Sequence, residues 1–280
     1  MSKLSKNSLI FTGALGLSYV AALFLPKYFI YEVITLTITI VFAWRVFFEV
    51  KPNKQSIIEK MRFLTLPLIF NLGALYLTTI FFQVPAKGVI SVLAVITNYY
   101  LWISLRKVYN LSEKAAIFNR NILIIISFIS VYLGSTIFFR LYMLFSTSTS
   151  RSTYQLLLVI FVFGLFYIIS SFLTWSNGSI DNQKKLRPYN VIISLLGAEA
   201  AWVSSIWIVN YPVIATQEKA TLGGSPLPAV LLTIIFYFLW GIIFHKLDHS
   251  LTKKVLTEYI LISIIFIIVL LSTARWLPTL

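Results

Sequence analysis

Glu199 is the residue whose placement most needs a reason. It lies about nine residues from either end of an apolar stretch, Val191 to Val209, and at ~1.5 Å of rise per residue a helix there puts it near a bilayer's midplane. A carboxylate at that depth costs roughly 2.5 to 3.5 kcal/mol, so it must be protonated, paired or facing water. The chemistry open to it is that of a proton or cation site, a contact to a headgroup amine, or a hydrogen bond to another helix. Arg140 in the fifth apolar stretch and Glu32 near the end of the second lie toward the same leaflet as Glu199. With Arg275 these residues would supply two acids and two bases for a polar pocket if their helices were neighbours. Glu32 and Arg275 are also close enough to the interface to reach water by snorkelling.

The residues around Glu199 carry a second signal. Ser194, Ala198, Ala201 and Ser205 recur at three-to-four spacing, and such a stripe lets helices approach closely. At ~100° per residue Glu199 points away from that stripe. Two faces of this helix therefore need neighbours, which predicts a central position in the bundle.

Other templates for chemistry are poorly met. His245 and His249 stand at i and i+4, but Lys246 follows the first, and Lys253 and Lys254 would repel a cation, so we read an interfacial helix end and no metal site. No Gly-x-Ser-x-Gly motif, no phosphate-cradling glycine loop and no cysteine occurs. We assign no catalytic residue and no cofactor. Asn71 and Asn98 lie inside apolar stretches and are expected to bond across helices.

The elements that must hold these residues are membrane spans. With 59% hydrophobic and 11% charged residues over 280 positions, the chain carries far less charge than a soluble domain of its size. Nine apolar stretches each approach the ~20 residues that cross a hydrocarbon core. They run from Ser8 to Leu25, Tyr28 to Phe48, Phe63 to Gln83, Val89 to Leu105, Ile122 to Phe145, Leu156 to Trp175, Val191 to Val209, Ala229 to His245 and Tyr259 to Thr273. The expected fold is all-α, a polytopic transmembrane helical bundle, in a single membrane domain over 1–280.

The 23 Lys and Arg residues set its orientation, since 17 fall on alternate connecting segments beginning with the N-terminus. By the positive-inside rule the N-terminus is cytoplasmic and the C-terminus outside. The formal charge of +14 then meets anionic headgroups at the cytoplasmic face; no basic stripe with interleaved aromatics lies outside the apolar stretches, so nucleic acid is not an expected partner. The triplets at Asn110 and Asn177 match a glycosylation acceptor but fall in segments this topology puts inside. No small-residue cleavage site precedes Pro26, so the first span is expected to be retained. The segment from Asn210 to Pro228 holds several helix breakers and reads as a passive loop, with a re-entrant segment as the alternative.

Glu199-Ala-Ala-Trp202, then Asn210-Tyr-Pro212, then a last span from Thr257-Glu258-Tyr259 to Thr273-Ala-Arg-Trp276, resembles a family of polytopic membrane proteins of unknown function from small-genome candidate-phylum bacteria. The resemblance covers the last third of the chain. It implies a bacterial cytoplasmic (inner) membrane location and supplies no activity.

Three functions fit the sequence. The first is a non-enzymatic membrane subunit or scaffold with a protein partner in the membrane, which predicts a filled bundle interior. The second is a transporter or lipid carrier using Glu199 as a proton, cation or headgroup site, with Arg140 as counter-charge. The third is an enzyme acting on lipid or lipid-linked substrate, which needs Glu32 or Glu199 beside Arg140 in one pocket.

Overall fold

In lipid every backbone polar group must be satisfied within the chain, and a helix does this segment by segment. The computed structural model describes residues 3–24, 28–50, 57–80, 84–109, 113–145, 151–177, 180–206, 209–211, 225–247, 250–273 and 275–276. Among these the chain forms nine helices: α1 (Lys3–Phe24), α2 (Tyr28–Val50), α3 (Ile57–Ile80), α4 (Val84–Tyr109), α5 (Glu113–Phe145), α6 (Arg151–Asn177), α7 (Ile180–Ile206), α8 (Leu227–Leu247) and α9 (Lys253–Thr273). Three short strands, β1 (Val209–Tyr211), β2 (Ser225–Pro226) and β3 (Arg275–Trp276), complete them.

Among the described residues eight helices are long and apolar enough to cross a membrane, and α1 carries a shorter apolar segment, Ser8–Ala22. This is an all-α, multi-pass membrane protein. Several helices overrun the apolar stretches that mark them. The fifth begins at Glu113 and the seventh at Ile180, because a helix can continue past the hydrocarbon on polar side chains. Pro85 and Pro228 each stand second in their helix, where the missing N–H is no loss. The seventh helix is described to Ile206, and Val209, the expected end of that span, belongs to a strand.

Contacts divide the chain into two units. The first, Met1–Ser130 with Phe172–Gly178, is built on α1 to α4, in which each helix meets the other three, α1 with α3 and α2 with α4 over the shortest stretches. Aromatic rings fill much of it: Phe11 stacks on Phe42 at 4.0 Å, Phe42 meets Trp102 edge-on at 4.6 Å, and Tyr109 stacks on Trp175 at 4.6 Å. A polar knot ties three of its helices. Tyr19 Oη donates to Asn71 Oδ1 at 2.7 Å, Asn98 Nδ2 donates to the same oxygen at 2.8 Å, and Asn71 Nδ2 donates to the carbonyl of Pro67 at 2.8 Å. Asn71 and Asn98 thus bond across helices, as their positions within apolar stretches implied.

The second unit, Val131–Ser171 with Ser179–Leu280, holds the later part of α5, most of α6, and α7 to α9. Gly197 of α7 lies so close to α6 that a Cβ there would enter the ring of Phe166, and Gly241 of α8 meets the ring of Tyr259 on α9 in the same way. Small residues permit these approaches. The stripe Ser194, Ala198, Ala201 and Ser205 is buried. Strand β1 pairs antiparallel with β2 through Asn210↔Pro226 and Tyr211↔Ser225, and with β3 through Val209↔Trp276 and Asn210↔Arg275. The expected loop from Asn210 to Pro228 is therefore a strand pair at its two ends; its interior, 212–224, lies outside the described residues.

Candidate functional site

The three strands each continue one helix: β1 follows α7, β2 precedes α8, and β3 follows α9. A small sheet thus fastens the same end of all three helices. At the other end of the α8–α9 hairpin, His245 Nδ1 and Ser250 Oγ are 2.8 Å apart, and the Ser250 amide donates to the His245 carbonyl at 3.0 Å. His245 therefore caps a helix end; His249 lies outside the described residues.

Between the two fastenings α8 packs against both α7 and α9. The result is a groove of about 650 Å³ with α8 as its floor and α7 and α9 as its walls. Each helix presents one face to it. From α7 come Leu196, Glu199, Ala200 and Val203, with Ser204 beside them; from α9 come Ile260, Ser263, Ile264 and Ile267. Both sets follow i, i+3, i+4, i+7, the spacing that lines one side of a helix. The floor repeats it with Leu231, Ile234, Ile235, Phe238 and Leu239. Of these fourteen side chains, eleven are apolar, two are serines and one is a carboxylic acid.

Glu199 is exposed, on the groove face of α7. The expected central position of this helix holds only for the opposite, small-residue face. The Glu199 side also carries Leu195, Leu196, Trp202 and Val203, all exposed, and large apolar side chains of that kind suit contact with acyl chains or with an apolar occupant. Among the described residues the ion pairs are Arg106–Glu49 at 2.8 Å and Arg45–Glu49 at 3.8 Å, and neither involves Glu199.

Arg140 is buried in α5, with 4% of its surface exposed, and does not line the groove. Glu32 is half-buried on α2, in the first unit. Arg275 belongs to β3, and its side chain lies outside the description. The structure thus brings none of these expected partners to Glu199 by a hydrogen bond or an ion pair between described groups.

The polar group that sequence reasoning passed over is Ser263. The residue lines the groove, while its hydroxyl, like those of Ser91 and Ser135, is buried and makes no hydrogen bond. Its only signal in the sequence is position: it falls one helical turn after Tyr259, on the face where α9 meets α8. Family models, curated proteins and solved structures give no match to this chain.

Proposed function

We propose that the second unit binds a membrane-resident apolar or amphiphilic molecule in the α7–α8–α9 groove, with Glu199 as its polar contact. The observation that carries this reading is a single carboxyl set among eleven apolar side chains in a groove of about 650 Å³. Small-molecule sites commonly enclose about 300 to 1,000 Å³ with few polar groups to fix orientation. An acid facing bare acyl chains is costly by roughly 2.5 to 3.5 kcal/mol, and an occupant that hydrogen-bonds it offsets that cost. A transporter or lipid carrier has use for such a site. The burial of Arg140 away from the groove leaves an enzyme on phosphorylated lipid without its anion contact.

The membrane-subunit or scaffold reading expects a filled interior, and a groove on the exposed face of α7, α8 and α9 leaves that expectation standing. One observation still favours it: Ser263 and Leu270 are the only buried residues described in α9, so most of that helix is free to meet a partner helix.

The distribution of Lys and Arg supports a cytoplasmic N-terminus and an outside sheet end. In that orientation Arg45, Lys60 and Arg106 meet anionic headgroups of the inner leaflet; Arg106 is joined to Glu49, and Lys60 Nζ lies 5.1 Å from the ring centres of Trp44 and Phe48. The resemblance of the last third to bacterial membrane proteins supports the bacterial cytoplasmic membrane as its location.

Native mass spectrometry of the chain released from mild detergent tests the groove reading. We expect a non-covalent adduct of lipid-like mass on the natural chain and its loss in Ala200→Trp, which fills the groove from α7. A chain that carries no adduct, or an adduct that survives both Ala200→Trp and Ile234→Trp, contradicts it.

A further inference from the structure

The polar knot of the first unit leaves one acceptor over. Asn71 Nδ2 donates to the Pro67 carbonyl, which can only accept, so the orientation of that amide is fixed and its Oδ1 receives Tyr19 and Asn98. Asn98 is fixed in the same way. Its two N–H bonds go to the Ala94 carbonyl at 3.0 Å and to Asn71 Oδ1 at 2.8 Å, and exchanging its nitrogen and oxygen would set oxygen against oxygen at both. Asn98 Oδ1 therefore remains, buried and without a hydrogen bond, in a residue with none of its surface exposed.

One turn further along α4 stands the complementary group. Trp102 is 1% exposed, and its Nε1–H, a donor that cannot accept, makes no hydrogen bond. Residues four apart share a helix face with about 5 to 6 Å between Cβ atoms, and an aromatic side chain on a helix leans back over the preceding turn. The indole of Trp102 thus leans toward Asn98. The Asn98 amide turns its nitrogen toward Ala94, on the turn before it, which leaves its oxygen on the side of Trp102.

Other buried polar atoms without a bond lack this pairing. The hydroxyls of Ser91, Ser135 and Ser263 are each a side-chain rotation away from a carbonyl of their own helix, the bond that Ser127, Ser130 and Ser194 make. Trp240 Nε1 is unbonded as well, but the residue four positions before it is Phe236, whose side chain has no acceptor.

We infer that α4 holds a resident water molecule between Asn98 and Trp102, donating to Asn98 Oδ1 and accepting from Trp102 Nε1. Two hydrogen bonds of about 2.8 Å that meet at one water reach across roughly 4.5 Å, and neighbouring turns of a helix lie about 5.4 Å apart. Buried waters are held by such otherwise unpaired groups. The occupant has to donate to one atom and accept from the other in a site closed to bulk solvent, which a small neutral hydroxylic molecule does and a bare ion does not. It extends the knot of Tyr19, Asn71 and Asn98 to the indole of Trp102. The site belongs to the first unit and is independent of the groove.

Nuclear magnetic resonance of the full chain in detergent micelles, with isotopically labelled tryptophan on a deuterated background, tests this. The indole protons are assigned by comparison with Trp102→Phe and Trp240→Phe. The Trp102 indole proton is expected to show dipolar cross-relaxation with water, and the Trp240 indole proton none. In folded Asn98→Leu the transfer at Trp102 should be lost. The comparison of the two indoles on the natural chain does not depend on the folding of Asn98→Leu.

A Trp102 indole proton with no transfer from water overturns the site, since the indole then bonds Asn98 directly or stays unpaired. Transfer by chemical exchange alone overturns a resident water, because the site then opens to bulk solvent. Equal dipolar transfer at Trp102 and Trp240 overturns the selection by pairing. Transfer that survives in folded Asn98→Leu overturns the role of Asn98.

Discussion

Glu199 on α7 and Ser263 on α9 line one groove from two helices that are both packed on α8. Each is the polar member of an i, i+3, i+4, i+7 set whose other members are apolar. A stability argument and a binding argument meet at Glu199, because the group that costs most in hydrocarbon is one an occupant can satisfy.

Replacing the acid should therefore stabilise the empty protein. Glu199→Leu removes a carboxyl that no described ion pair holds, and the gain should approach roughly 2 kcal/mol, somewhat below the full insertion cost. Unfolding in detergent followed by tryptophan fluorescence reads it. A clear loss of stability would show Glu199 to be bonded within the protein instead.

The first unit makes the opposite prediction. Asn71→Leu deletes the oxygen that receives both Tyr19 and Asn98, and the amide that donates to Pro67. Hydrogen bonds between membrane helices average about 0.6 kcal/mol with a maximum near 1.7, so we expect a loss of about 1 to 3 kcal/mol for the two that cross between helices. Tyr19→Phe, which removes one bond and no packing, should cost less than half of that.

Close approach of α8 to α9 depends on Gly241. A methyl group there meets the ring of Tyr259, and overpacking of this kind costs about 1 to 3 kcal/mol. The double variant Gly241→Ala with Tyr259→Ala should recover part of the loss, because the two residues touch and their effects are coupled. Simple additivity of the two single effects would show that α8 and α9 do not meet at this point.

The ion pair at the far end of the first unit should matter little. Arg106 and Glu49 are only 2.8 Å apart, but their side chains are 24% and 34% exposed. Water and salt screen such a pair, so Arg106→Gln should change stability by less than about 1 kcal/mol, and less again at high ionic strength. Thermal melts of the variant at low and high salt measure both.

Most of the helical order was legible because lipid demands long apolar runs, and those runs cannot be hidden. That Asn71 and Asn98 bond across helices was legible for the same reason, since an amide inside an apolar run must find a partner; that they bond to each other was not. The groove was not. Helices α8 and α9 are apolar on every side, so no periodic contrast separates the face that lines the groove from the face that meets acyl chains. Strands of two or three residues, such as Ser225–Pro226, are too short to leave an alternating pattern, which is why the sheet joining α7, α8 and α9 went unforeseen. Glu199 was identifiable from depth alone; Arg140 and Glu32 could be placed by depth but not by which helices adjoin.

The claim on which the account turns is that Glu199 faces a groove open to hydrocarbon. A nitroxide attached through Glu199→Cys in nanodiscs, with collision rates measured against oxygen and against a water-soluble nickel chelate, tests it most directly. Oxygen should dominate. Dominant access to the nickel chelate, or a label shielded from both reagents, would contradict the account.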